Sequence, residues 1–209
     1  IKGNLDVRAL HKALEHLQRR HNILRTAYVT KDNTAYQQVR EDIEVDLDVV
    51  DLGPLGHEAG HRECIERATE VATRPFDLSS GQIMRTALYK LGEDEFVFLL
   101  VIHHIAIDGH SEGLLATELS ALYNAFNQDK AAELPEIPIT YSDYSIWERA
   151  LVDRRFLDHQ VGYWTDHLNN MPGYLDISSD RPRPSVMQFR GYTRDFTIPS
   201  DTYKRLTDL

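Results

Sequence analysis

The sequence predicts an α/β fold, a mixed β-sheet with flanking helices arranged as a two-layer sandwich. Two observations carry that expectation. Segments with apolar residues at helical spacing alternate along the chain with segments that read as strands, a pattern that builds a sheet covered by helices. One strand, running from Phe96 to Ile102, is apolar at every position, which marks a central strand covered on both faces.

Asp6 to Arg20 is helical, because Val7, Leu10, Ala13, Leu14 and Leu17 recur at spacings of three and four, with Asp6 as N-cap. Ile23 to Val29 and Ala35 to Val39 read as strands, with Asp32-Asn33 in the turn between them. Val45 to Val50 alternates apolar and acidic residues as a half-buried strand does, and Gly53-Pro54 breaks it. His57 to Thr73 is a second helix, with Cys64, Ile65, Ala68 and Val71 inward, and Pro75 stops it. Ile83 to Leu91 and Glu95 to Ile102 are strands joined by Gly92-Glu93-Asp94. Ser111 to Phe126 is a helix whose apolar side holds Leu114, Leu115, Leu119, Leu122 and Tyr123. Leu134 to Pro138 is a linker, and Tyr141 to Leu168 holds one or two aromatic-rich helices. Asp180 to Pro184 is a rigid extended loop, Tyr192 to Ile198 a last strand, and the end reads as an unfinished helix.

Composition excludes several function classes. With 23 Lys and Arg against 33 Asp and Glu, the net charge is −10. That balance opposes non-specific nucleic-acid binding and attachment to an anionic membrane, both of which need basic surface. The longest apolar run is far short of the roughly 20 residues that span a bilayer. Cys64 is the single cysteine, so no internal disulfide forms and a cytoplasmic setting is expected. Both ends read as cut from something longer.

The chemistry-bearing segment is Ile102-His103-His104-Ile105-Ala106-Ile107-Asp108-Gly109. Two histidines stand where the most apolar strand ends and a loop leads into a helix, a place where α/β proteins put reactive groups. A neutral imidazole accepts a proton or a hydrogen bond near pH 7. Adjacent strand residues point to opposite faces, so the two should differ in job. A metal set of His103, His104 and Asp108 is weakened by the same argument. Both histidines serving as hydrogen-bonded core residues is the plain structural alternative.

His103-His104-x-x-x-Asp108-Gly109 resembles the HHxxxDG signature of nonribosomal peptide synthetase condensation domains. Arg20-His21-Asn22-Ile23-Leu24-Arg25-Thr26 resembles the RHxxLRT segment of that family, and Pro75-Phe76-Asp77-Leu78 with Arg85 its PFDL…R segment. Tyr141-x-Asp143-Tyr144-x-x-Trp147 is similar to its YxDYxxW motif. Tyr163-Trp164 and Asp180-Arg181-Pro182-Arg183-Pro184 follow in the order of the family. The resemblance implies a chloramphenicol-acetyltransferase-like lobe. Residues 1–209 would then form the N-terminal lobe of a condensation domain, without its C-terminal lobe.

It also implies a reaction. An acceptor amine on one carrier protein attacks a thioester carbonyl on another, and an amide bond forms. The substrates arrive on phosphopantetheine arms of peptidyl or acyl carrier proteins, and no cofactor is bound directly. By similarity His104 faces the active-site tunnel of the family, as a base or a positioning group. Gly109 admits the substrate and offers its N–H to the oxyanion. His103 and Asp108 are structural, with Arg25 as the partner of Asp108 within this chain. Arg20, His21, Tyr144 and Trp147 are packing and hydrogen-bonding elements. Three other readings stand beside this one: a related HHxxxDG acyltransferase or epimerisation domain, a docking lobe without chemistry, and a zinc hydrolase. His110-Ser111-Glu112-Gly113 lacks the Ser-Trp pairing usual in epimerisation domains.

The zinc reading rests on His57-Glu58-Ala59-Gly60-His61, which matches H-E-x-x-H. Two histidines four residues apart share a helix face, and Glu58 would activate a water. Against it, the pattern opens the helix, Gly60 weakens it, and no third ligand is evident. It is read as a solvated helix start with Glu58 favoured by the helix dipole, and no metal is expected.

Overall fold

The computed structural model describes residues 1–153, 156–173, 178, 180–182, 184–186, 191 and 193–209. The chain divides into two compact units, Ile1–Asp158 and His159–Leu209.

The first unit opens with helix α1, Val7–Arg20. The Asp6 side chain caps it, accepting from the Arg8 and Ala9 amides at 2.8 and 3.0 Å. A 3₁₀ turn, Asn22–Arg25, follows, so the residues expected to begin a strand at Ile23 are coiled instead. Strands β1, Thr26–Lys31, and β2, Thr34–Val39, then pair as an antiparallel hairpin. Asp32 and Asn33 both take positive φ, 50° and 59°, the conformation a two-residue turn needs to match strand twist.

The second sheet has strand order β3-β4-β5, with β3 Leu47–Asp51, β4 Met84–Lys90 and β5 Phe96–Ile102. β3 and β4 are parallel, and β4 and β5 antiparallel. Helix α2, His57–Thr73, is the crossover between the parallel pair. Helix α3, Gly109–Phe126, follows β5. The α/β class with a mixed sheet and flanking helices is thus the observed one.

Side-chain alternation along β4 explains how the helices attach. Ala87 and Tyr89 face Cys64 and Ala68 of α2. Leu88 faces Leu10 and Leu14 of α1, with Leu119 and Tyr123 of α3 packed on the same cluster. β4 is therefore the central strand among the described residues, and Phe96–Ile102 lies at the edge of its sheet. Its apolar run is still explained, because Phe98 meets the α1/α3 side while Val97 and Leu99 meet the α2 side. The N-terminal residues pair with the start of this edge: Phe96 donates to the Ile1 carbonyl at 2.9 Å and Gly3 to the Asp94 carbonyl at 2.7 Å.

Two expected core positions face outward. Ile65 is 67% exposed and Leu114 51% exposed. Neither helix buries the whole stripe its sequence offers. On α2 the buried residues are Gly60 and Cys64, and on α3 they are Leu115, Glu118 and Leu122.

The aromatic-rich region forms two helices, α4 Tyr141–Asp153 and α5 Asp158–His167. Thr140 and Asp143 cap α4 reciprocally: Asp143 accepts from the Thr140 amide at 2.8 Å, and its own amide donates to the Thr140 hydroxyl at 3.3 Å. In the second unit the rings of Tyr163, Trp164 and His167 pack on one another with centroids 5.3–5.8 Å apart. Helix α6, Ser200–Thr207, ends the chain. The expected strand from Tyr192 to Ile198 does not form over residues 193–198, and Tyr192 lies outside the described residues, as does Arg183 of the extended loop.

Removing a fully buried β4 side chain should cost far more than removing an outward one. Leu88→Ala is expected to lower unfolding free energy by about 2–5 kcal/mol, whereas Leu114→Ala should stay within about 0.5 kcal/mol. Urea denaturation of both variants checks the assignment of inward and outward faces.

Candidate active site

The His-His segment occupies the loop between the end of β5 and the start of α3. His103 is held from three directions. Its amide donates to the Ile83 carbonyl at 3.0 Å, and its own carbonyl accepts from the Ala106 amide at 3.0 Å. Its Nδ1 accepts from the Ile105 amide at 3.0 Å. That bond leaves any ring proton of the neutral form on Nε2. The imidazole also stands edge-on to Phe76, with centroids 5.7 Å apart.

Phe76 is fixed in turn. The Arg85 guanidinium lies 3.7 Å from its ring centroid. Arg85 donates to the carbonyls of Arg74 at 2.5 Å and Pro75 at 2.6 Å, and burial with the nearby Arg74 charge pulls its pKa down. The chain of contacts Arg85–Phe76–His103 thus joins two segments separated in sequence, and only the fold reveals it.

His104 is different. It sits in the turn, exposed, and no hydrogen bond or ion pair engages its imidazole among the described residues. The surroundings of the two histidines therefore differ: one ring is tied into the protein and the other is open.

Asp108 is the N-cap of α3. Its carboxylate accepts from the Ser111 amide at 2.9 Å and the Ser111 hydroxyl at 2.6 Å. Those bonds hold its pKa below the ordinary aspartate value, with a smaller contribution from His110. Gly109 opens α3, and nothing lies within 4 Å of where a Cβ would stand. As a first-turn residue it carries one of the amide donors a helix leaves unpaired.

Arg25 does not pair with Asp108. It is buried in the 3₁₀ turn, where its guanidinium donates to Asn22 at 2.6 Å and the Arg40 carbonyl at 2.8 Å, and ion-pairs with Glu41 at 2.8 Å. The reason is positional: the 3₁₀ turn carries Arg25 to the β2 end of the hairpin, while the Asp108 carboxylate is consumed by capping. Arg25 braces the start of β1, and Ser111 takes the place expected for an arginine.

One residue escaped sequence reading. Glu118 is buried on α3 and accepts two bonds of 3.2 Å from Arg20 and one contact of 2.6 Å from His21 Nε2. Arg20 also donates to the Pro135 carbonyl. Burial pushes the Glu118 pKa up, but the bonds from His21 and Arg20 outweigh it and leave the carboxyl below the usual glutamate value. The signal was available: an acid between Leu115, Leu119 and Leu122 on an apolar helix side implies a buried cationic partner.

The fold and this loop now have a family. A family model described as "Condensation domain" matches residues 1–209, and the chain belongs to that family, the condensation domains of nonribosomal peptide synthetases. It is 35% identical over 201 residues to phosphinothricin tripeptide synthetase PhsC of Streptomyces viridochromogenes, covering 96% of this chain and 18% of that protein. It is 35% identical over 198 residues to chondramide synthase cmdD of Chondromyces crocatus, covering 95% of this chain and 5% of that one. The X-domain from teicoplanin biosynthesis superposes with a TM-score of 0.79 at 30% identity, over 88% of this chain and 40% of that chain. This chain therefore spans a small fraction of the length of its relatives.

Breaking the Glu118 cluster should destabilise the chain. Glu118→Ala leaves Arg20 and His21 without their shared anion and is expected to cost about 3 kcal/mol, read by urea denaturation. Because the folded pKa is depressed, this stabilisation is present above the unfolded value and lost as pH falls through the folded one. Below about pH 4.3 stability should therefore decline less steeply in Glu118→Gln than in the unaltered protein, in thermal melts across an acid series.

Proposed function

We propose that this chain is the N-terminal lobe of an amide-forming condensation domain and that His104 is its catalytic residue. The single observation that carries the assignment of His104 is the contrast in the His-His pair. His103 is committed through Nδ1, backbone and ring, whereas the His104 imidazole is exposed at the β5–α3 loop without a protein partner among the described residues.

The chemistry follows from the functional groups. The acceptor amine, carried on one phosphopantetheine arm, attacks the thioester carbonyl of the acyl or peptidyl donor on the other. A C–N bond forms, the C–S bond breaks, and the sulfur leaves as the thiol. His104 accepts the proton released by the amine or holds its lone pair on the carbonyl. The first turn of α3 leaves the Gly109 amide without a helical acceptor, and the absence of a side chain there leaves room for a substrate, so this amide can donate to the oxygen as it gains negative charge. Holding two tethered reactants together supplies a further share of the rate. Carrier proteins are the partners, and the cytoplasm is the setting. The reaction belongs to the full domain, to which this lobe contributes the histidine.

A docking lobe without chemistry is the second reading. It is favoured by the likeness to the teicoplanin X-domain, which has been solved in complex with OxyB. The open His104 favours the catalytic one.

In the full-length domain, His104→Ala should lower carrier-to-carrier amide formation by about 10²–10⁴-fold, the contribution typical of a positioned acid–base group. Retained activity in that variant would support docking alone. His103→Ala should lower thermal stability as well as rate, since its ring braces the loop against Phe76.

A further inference from the structure

The His57–His61 pattern has a third member that sequence spacing could not show. Glu95, at the turn between β4 and β5, brings a carboxylate oxygen to 3.8 Å from His61 Nε2. The rings of His57 and His61 stand 4.6 Å apart, and one ligand atom from each of the three residues lies within 4.8 Å of the others. His61 Nε2 is buried yet has no hydrogen-bond partner. A buried ring nitrogen without a partner is uncommon and points to a missing ligand.

We propose that His57, His61 and Glu95 form a binding site for a divalent transition-metal cation of the zinc class. Two imidazoles and one carboxylate suit zinc, which takes nitrogen and oxygen ligands at about 2.0–2.2 Å with tetrahedral geometry. Ligand atoms of such a site lie about 3.4 Å apart. The present spread closes to that by small rotations of the exposed His57 and the half-exposed Glu95. Among the described residues no lysine or arginine forms an ion pair with Glu95, so its carboxylate is available.

Gly60 also changes meaning. It is buried, and a Cβ there would lie 3.2 Å from the Leu52 carbonyl and 3.7 Å from the Leu91 side chain. The glycine lets the first turns of α2 settle onto the sheet, which is what brings His61 to the hairpin. Far from weakening the placement of the ligands, it permits it.

The site is separate from the His-His loop. β5 has seven residues, Phe96–Ile102, with Glu95 before it and His103 after it. At about 3.3 Å per residue, the eight steps from Glu95 to His103 set the two sites about 26 Å apart. The cation therefore acts as a clamp of α2 on the β4–β5 turn and takes no part in amide formation.

Zinc titrated into the untagged chain by isothermal calorimetry tests this. One ion per chain should bind, and the same addition should raise the thermal midpoint. His61→Ala and Glu95→Gln should each weaken binding by at least about tenfold, the loss already expected when only an outer hydrogen-bond partner of a metal ligand is removed. His104→Ala should leave it unchanged. His57→Ala, at an exposed position, gives the same reading should His61→Ala unfold. Failure to bind one zinc overturns the proposal. So does binding that survives both His57→Ala and Glu95→Gln, which would mark an adventitious ion held by other histidines.

Discussion

The buried Glu118 carboxylate is the constraint on which the placement of the His-His loop depends. It sits on α3, one turn from Leu115 and Leu122, and takes contacts from Arg20 and His21 at the end of α1. A charge in that position is costly unless its oxygens are used. Here both oxygens are used, and the helices they join are the two that pack on one face of the sheet. The start of α1 is tied to the same helix, where the Asp6 amide donates to the Tyr123 hydroxyl at 3.1 Å.

With α3 fixed from one side, the loop leading into it has little freedom. Asp108 closes it by capping the helix, and His103 closes it by bonding Ile83 and Ile105. His104 lies between those two anchors. A residue in a short turn anchored at both ends is positioned without contacts of its own, so its side chain can stay open. Phe76 and Arg85 add a floor beneath His103, so a distant segment also supports the loop.

The same logic applies at the far end of β5. Gly60 lets α2 approach the Leu52 carbonyl, and the β4–β5 turn then lies under the first turn of the helix. Each end of the edge strand thus presents histidines, one pair in a loop and the other on a helix, with different companions. Their chemistry differs because a backbone amide meets His103, whereas a carboxylate meets His61.

Much of the site and fold was legible in the chain. Helical spacing gave α1 through Asp6, Leu10, Leu14 and Leu17, and Asp32-Asn33 gave the hairpin turn, because both signals are local. The ordered motifs pointed to the family, and they marked the loop in which His103 and His104 prove to have unequal surroundings. What only the tertiary structure decided is pairing over distance. Strand order is not encoded in the apolarity of one strand, so β4 rather than β5 became central. Leu114 and Ile65 share their helices' apolar character, but a helix on one sheet face buries a narrower stripe than the sequence supplies. Whether Arg25 meets Asp108 or Glu41, whether Glu118 meets Arg20, and whether Glu95 meets His61 depend on where separate elements come to rest. Those contacts span tens of residues, and nothing in the local pattern of the chain specifies them.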